Sequence, residues 1–145
     1  MAKNKCTLDF DGFDRLKKQL DYIGGDATKR AVNNALKESE KYIAEQVTQA
    51  MRKHNDTGET TRSIISDDNV QWAADLASIA VGFDINKGGL ASIFLMYGTK
   101  LHGQPHIEPD RKLYNAVYGT KTRKKIRELQ ETEFKKVLEQ AVRQR

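Results

Sequence analysis

The side chains here that can do chemistry are a few histidines, hydroxyls and carboxylates, one thiol and a cluster of lysine and arginine. His102, His106 and Glu108 fall close together and are of metal-binding type, and metal-assisted nuclease chemistry would suit a basic chain. Their spacing matches no zinc motif, however, and no second carboxylate or histidine cluster completes the set, so they read as polar loop groups. Ser63, Ser66 and Cys6 have no histidine at a recognisable spacing to activate them. Cys6 is the single cysteine, which excludes an intrachain disulfide and the Cys-x-x-Cys zinc arrangements; it is incidental. Gly88-Gly89 stands alone, with no phosphate loop of the Gly-x-x-x-x-Gly-Lys type. The expectation is a chain that is not an enzyme, with no catalytic residue, metal or cofactor.

The other chemistry is electrostatic. The run Lys121-Thr-Arg-Lys-Lys-Ile-Arg127 carries Lys121, Arg123, Lys124, Lys125 and Arg127. Such a cluster would grip phosphate with a salt-dependent affinity, and a solvated helix face explains it equally well; no aromatic residue in it offers a base a stacking surface. The net charge of +5 is uneven: residues 111–145 hold eleven Lys or Arg against four Glu, a net of +7, which leaves −2 for residues 1–110. A basic tail of this kind serves a polyanion, an acidic protein partner or solubility.

A chain of 145 residues with 38% hydrophobic content suits one domain, 1–145, with a modest core. No apolar stretch approaches the roughly 20 residues of a membrane span, and the first residues lack the apolar run of a signal peptide, so an intracellular, soluble chain is expected with no membrane partner. Residues 7–10 alternate weakly, as a short strand. Phe13, Leu16 and Leu20 recur at helical spacing behind a capping Asp11, with Lys17 and Lys18 turned away. The Gly24-Gly25 pair interrupts, and Asp26 offers a new cap. From 27 to about 53, Ala31, Val32, Ala35, Leu36, Tyr42, Ile43, Val47, Ala50 and Met51 keep to three- and four-residue steps, predicting a helix roughly 40 Å long that leaves part of its apolar stripe for a partner.

Asn55, Asp56 and Gly58 then form a turn, with Thr57 or Asp56 capping a brief helical turn that contains Arg62. Arg62 would either anchor an interface or pair locally with Asp56 or Glu59. Ile64-Ile65 with Val70 to Ala73, and Ala77 to Phe83, predict an antiparallel hairpin, followed by a flexible loop at 84–89.

The chain is organised around residues 93–109. Ile93 to Tyr97 is apolar on every side and is expected to be buried. Gly98 ends it, Thr99 to Gln104 reads as an exposed loop before Pro105, and Pro109 suits the first turn of the next helix. Gly98 and Gly103 are backbone devices that shape the loop. Beyond Asp110, Leu113, Tyr114, Ala116 and Val117 share one face, and Ile126, Leu129, Phe134, Val137, Leu138 and Ala141 another, with a kink or break near Gly119.

Asp56-Thr-Gly-Glu-Thr-Thr-Arg-Ser-Ile64 resembles the Asp-Thr-Gly-x-Leu-x-x-Ser-Ile signature of the tail-completion, or head-to-tail joining (neck), proteins of long-tailed, lambdoid-type phages. Phe94-Leu-Met-Tyr-Gly-Thr99 is similar to that family's aromatic-rich run ending in Gly-Thr, Pro105-His-Ile-Glu-Pro109 to its Pro-Phe-x-x-Pro step, and the order of elements agrees along nearly the whole chain. His54-Asn55 and Thr60 stand where the family has Pro-Val and Leu, Met96 where it has an acidic residue, and His106 where it has Phe.

The resemblance implies an α+β fold, long helices on a small antiparallel sheet with a long carboxy-terminal helix. It implies a structural virion protein, assembled in the host cytoplasm as a homo-oligomeric ring, hexamer favoured. Its partners would be other neck, connector and tail proteins, and DNA passing through the ring. Subunits meeting head to tail need two different surfaces. Tyr97, Gly98, Thr99, Lys100 and Leu101, with Arg62, are the candidate oligomer interface; Lys121, Arg123, Lys124, Lys125 and Arg127 are the candidate DNA or partner contact. The alternative class is a small basic nucleic-acid-binding protein that uses the carboxy-terminal helix.

Overall fold

The computed structural model describes residues 5–9, 18, 25–54, 58–74 and 76–143. The expected helix around Phe13, Leu16 and Leu20 and the expected caps Asp56 and Thr57 lie outside the described residues. The fold is α+β. Helix α1 (Gly25–Met51) runs through the domain and continues as a 3-10 turn (Arg52–His54). It begins a residue before Asp26, which therefore sits in the first turn, where its carboxylate meets the positive end of the helix dipole.

The stripe read from the sequence is the buried face of α1: Ala31, Val32, Ala35, Leu36, Ile43, Val47, Ala50 and Met51 are all at most 6% exposed, and Tyr42 packs at the edge of the core. Its many alanines let neighbouring elements approach closely. None of these side chains is left for a partner, contrary to the expectation, because three elements cover them. Strand β3 (Leu76–Gly82) lies against α1 together with two later helices, α4 (Arg111–Tyr118) and α5 (Thr120–Arg143). Helix α5 contributes Ile126, Phe134, Val137 and Ala141 to the buried layer, with Phe134 fully enclosed.

The sheet has the order β1 (Lys5–Asp9), β3 (Leu76–Gly82), β2 (Gln71–Ala73), antiparallel throughout. Thr7 stands opposite Ala80 and Trp72 opposite Ala77. Along β3, Ala77, Ile79 and Val81 face the core while Ser78 and Ala80 are only half-buried, the alternation of a sheet covered on one face. The predicted hairpin is present, but Ile64-Ile65 is no part of its first strand. Helix α2 (Glu59–Arg62) delivers Ile64 to a single bridge with Phe83, and the Ile65 amide donates to the Gly82 carbonyl at 2.8 Å. The expected flexible loop at 84–89 is instead a 3-10 turn (Ile85–Lys87), capped by the Asp84 carboxylate accepting from the Asn86 amide at 3.0 Å.

Residues 91–118 depart furthest from expectation. The apolar run is a helix, α3 (Ala91–Tyr97), and it is not buried on every side: Ser92 and Met96 are enclosed, whereas Phe94 and Tyr97 are 45% and 51% exposed. A seven-residue helix turns its side chains through every direction, and among the described residues the extensive packing of this one is on its α4 side. The expected loop at 99–104 is exposed but is a hairpin, β4 (Thr99–Leu101) with β5 (Gln104–Ile107). His102 and Gly103 both have positive φ, 52° and 76°, as a two-residue type I′ turn demands. Pro109 lies before the cap of α4, not in its first turn; the cap is Asp110. Gly119, extended at φ −70° and ψ 155°, separates α4 from α5, so the carboxy-terminal region is two helices. A β-carbon at Gly119 would stand 2.6 Å from the Asn115 carbonyl oxygen, which fixes glycine at that close approach.

Candidate functional site

Asp110 ties together the elements that carry the motif segments. Its Oδ1 accepts from the amides of Lys112 and Leu113, at 3.0 and 3.1 Å, and so caps α4. Oδ2 lies 2.6 Å from His54 Nε2 and 3.2 Å from Lys53 Nζ, which pins the far end of α1. Its backbone amide donates to the Leu95 carbonyl of α3 at 2.8 Å. Burial opposes the carboxylate charge, but the hydrogen bond with His54, the Leu113 amide and the Lys53 ammonium outweigh it and hold the pKa down at about 2.

Around this hub the segments singled out in the sequence converge. A groove of about 480 Å³ is lined by the α2 turn at 58–61, by Leu90, Phe94 and Leu95 of the α3 region, by Ile107 of β5, and by His54. Its walls are mainly apolar. The described part of the Asp-Thr-Gly segment, Gly58 to Thr61, thus meets the aromatic run and the Pro-His-Ile-Glu-Pro step, although some 30 residues or more separate the first from the others in the chain. The junction is geometrically tight at Gly98, where φ is 73° and a β-carbon would sit 2.6 Å from the Ile107 carbonyl oxygen.

Tyr97 closes α3 and sets its ring edge-on to Tyr114 at 5.8 Å; Tyr114 in turn stacks obliquely on Tyr118 at 5.0 Å. Beyond Gly98, Thr99 is half-buried and Lys100 and Leu101 are exposed, Leu101 by 54%. Among the described residues the extensive packing of β4 and β5 is with each other, so the hairpin forms an arm, with Leu101 exposed directly before its His102-Gly103 turn. The structure therefore groups five of the candidate interface residues. The sixth, Arg62, ends α2 and is exposed; the turn it belongs to lines the groove through residues 58–61, without Arg62 itself.

Lys121, Arg123, Lys124, Lys125 and Arg127 are all exposed and lie together on the first two turns of α5, apart from the hairpin arm in the chain's packing. His102 and His106 are exposed on the arm and Glu108 is exposed just after it; among the described residues no group of three His, Cys, Asp or Glu is placed to hold a metal ion. Ser63 is buried and its hydroxyl donates to the Thr60 carbonyl at 2.6 Å; Ser66 is exposed, and Cys6 is half-buried in β1. No described helix is long and apolar enough to cross a membrane.

Three features escaped the sequence reading. Asp110 had a usable signal, an N-capping residue type directly before a helical pattern. The exposure of Leu90 and Phe94 had none, since apolar residues in a short run are alike until the partner face is known. Glu40 had none either: it is 1% exposed within α1, and its Oε1 accepts from the Asp68 amide at 2.9 Å. Burial pushes the Glu40 carboxyl above its ordinary pKa, against the Asp68 amide hydrogen bond, with the neighbouring Asp67 adding to the rise. The chain gives no match to a family model, a curated protein or a solved structure.

Proposed function

We propose that the chain is a structural protein of a phage neck, which joins head and tail by assembling into a closed homo-oligomeric ring, hexameric by analogy with the family it resembles. Its work is assembly, with no bond made or broken on it. Its partners on this reading are its own copies and the other neck, connector and tail proteins, in a virion assembled in the host cytoplasm. One observation carries the reading: the hairpin arm, with Leu101 at its tip, stands beside a largely apolar groove lined by Leu90, Phe94 and Ile107. A protruding arm and an apolar recess are the two unlike surfaces a head-to-tail contact requires. Exposed apolar side chains gathered in this way mark interaction sites, where isolated ones do not.

Light scattering on the purified chain, alone and mixed with neighbouring neck proteins, tests it. The expected result is a discrete ring mass in at least the mixture; a strict monomer under both conditions sinks the reading.

A further inference from the structure

Residues 111–127 contain seven Lys or Arg and no Asp or Glu. Five of these cations, Lys121, Arg123, Lys124, Lys125 and Arg127, occupy the start of α5, and among the described residues none of the five forms an ion pair. The second half of the same helix is different. Lys135 pairs with Glu131 at 3.0 Å and Lys136 with Glu133 at 3.1 Å, the usual arrangement of a solvated helix face. The unpaired cations also sit at the helix's amino-terminal end, which the backbone dipole already makes positive and where no acidic residue stands in the first turn. Folding alone gives no reason to collect positive charge there, whereas a polyanion lying across it would neutralise both contributions.

We propose that this exposed face of α5 is a contact surface for the phosphate backbone of duplex DNA. The buried Thr122 and Ile126 hold the helix against the body, while Lys121, Lys124 and Lys125 lie on its opposite side and Arg123 and Arg127 flank the buried stripe one turn apart. The exposed positions between 120 and 128 are all polar or charged, and lysine predominates. A protein partner would want apolar or aromatic anchors at the centre of its footprint, and lysine is depleted there. A single strand would want aromatic surfaces for its bases. Neither is present, and phosphates need neither. The face carries no base-reading arrangement, so the contact is independent of sequence.

Anisotropy of a short labelled duplex titrated with the full chain tests this apart from assembly. Five phosphate contacts give a log–log salt slope of about −4.5, so affinity falls about 500-fold between roughly 50 and 200 mM salt. Lys124→Gln and Lys125→Gln should each make the slope shallower by about 0.9, and the fivefold Gln variant should lose binding while keeping the parent's oligomeric mass. A Lys135→Gln, Lys136→Gln variant should bind like the parent. No binding at the lower salt, a slope near zero, equal loss in the distal variant, or a single strand bound as tightly as the duplex would overturn the proposal. So would displacement of the duplex by polyglutamate at matched charge, which would assign the face to an acidic protein, or loss of oligomeric mass with the five charges, which would assign it to assembly.

Discussion

Replacing the Asp110 side chain should unfasten two elements at once, the start of α4 and the far end of α1. Asp110→Ala removes the cap from α4, worth about 1 kcal/mol, and the hydrogen bond with the half-buried His54, a charge-assisted contact worth about 1.5–3 kcal/mol. Lys53 is 61% exposed on its side chain and adds only a few tenths of a kcal/mol after screening. A loss of about 3 kcal/mol is expected, a large part of the stability of so small a domain. Asp110→Asn keeps a capping oxygen and should lose about half as much, since asparagine caps nearly as well and only the charge is gone.

The pH dependence provides a second measure of the same contact. The folded pKa is lowered from 3.8 to about 2, so the native state sheds its proton more readily than the unfolded chain. Stability from this group is therefore fully present above about pH 4 and is lost as the pH falls through the folded value; the shift is worth about 2 kcal/mol. Urea unfolding of the parent, Asp110→Asn and Asp110→Ala at neutral pH and again near the folded pKa makes the comparison. Both variants within 0.5 kcal/mol of the parent, or an unchanged acid limb in Asp110→Ala, would refute the assignment of Asp110 as the hub.

Three other perturbations follow from the same structure. Glu40→Gln should raise the melting temperature: the amide oxygen still accepts from Asp68, the amide nitrogen can donate to Asp67, and a buried charge is gone. Because the folded pKa of Glu40 is raised, its contribution declines as the pH climbs above about 4.5, and melts across that range should show the decline flattened in the variant. Gly98→Ala forces a side chain into a left-handed backbone and onto the Ile107 carbonyl, and should cost about 1–3 kcal/mol with loss of amide protection in β4 and β5 by hydrogen exchange. Phe134→Ala empties a fully enclosed site between α5 and α1 and should cost about 3–5 kcal/mol in urea unfolding.

Periodicity carried much of the fold. Helix α1 declared its buried stripe over seven turns, and β3 its alternation, because both repeat a pattern long enough to distinguish a period of 3.6 from one of 2. Short elements lacked that length. Ile93 to Tyr97 has nearly unbroken apolar character, which fits a buried segment of either kind, and only the position of α4 decides which faces are covered. The arm was obscured by its turn: His102-Gly103 is a less familiar type I′ pair than Asn-Gly, and Pro105 looked like a loop marker when it lies within β5 opposite Lys100. The candidate interface residues Tyr97 to Leu101 stood out by their motif, but the groove beside them did not. It is assembled from segments distant in sequence, held by Asp110 and His54, whose pairing across 56 positions has no local signature.

The central claim is that the arm and the groove join one copy to the next. Native mass spectrometry of the parent beside Leu101→Asp, with the neck partners present, tests it most directly. Leu101 is exposed at the tip of the arm, so the substitution leaves the core of the subunit untouched and places a charge where an apolar contact is required. A closed ring of defined stoichiometry for the parent, six copies on the family analogy, and free subunits for the variant is the expected pair of spectra. A folded variant that assembles as the parent does, or a parent that stays monomeric, would contradict it.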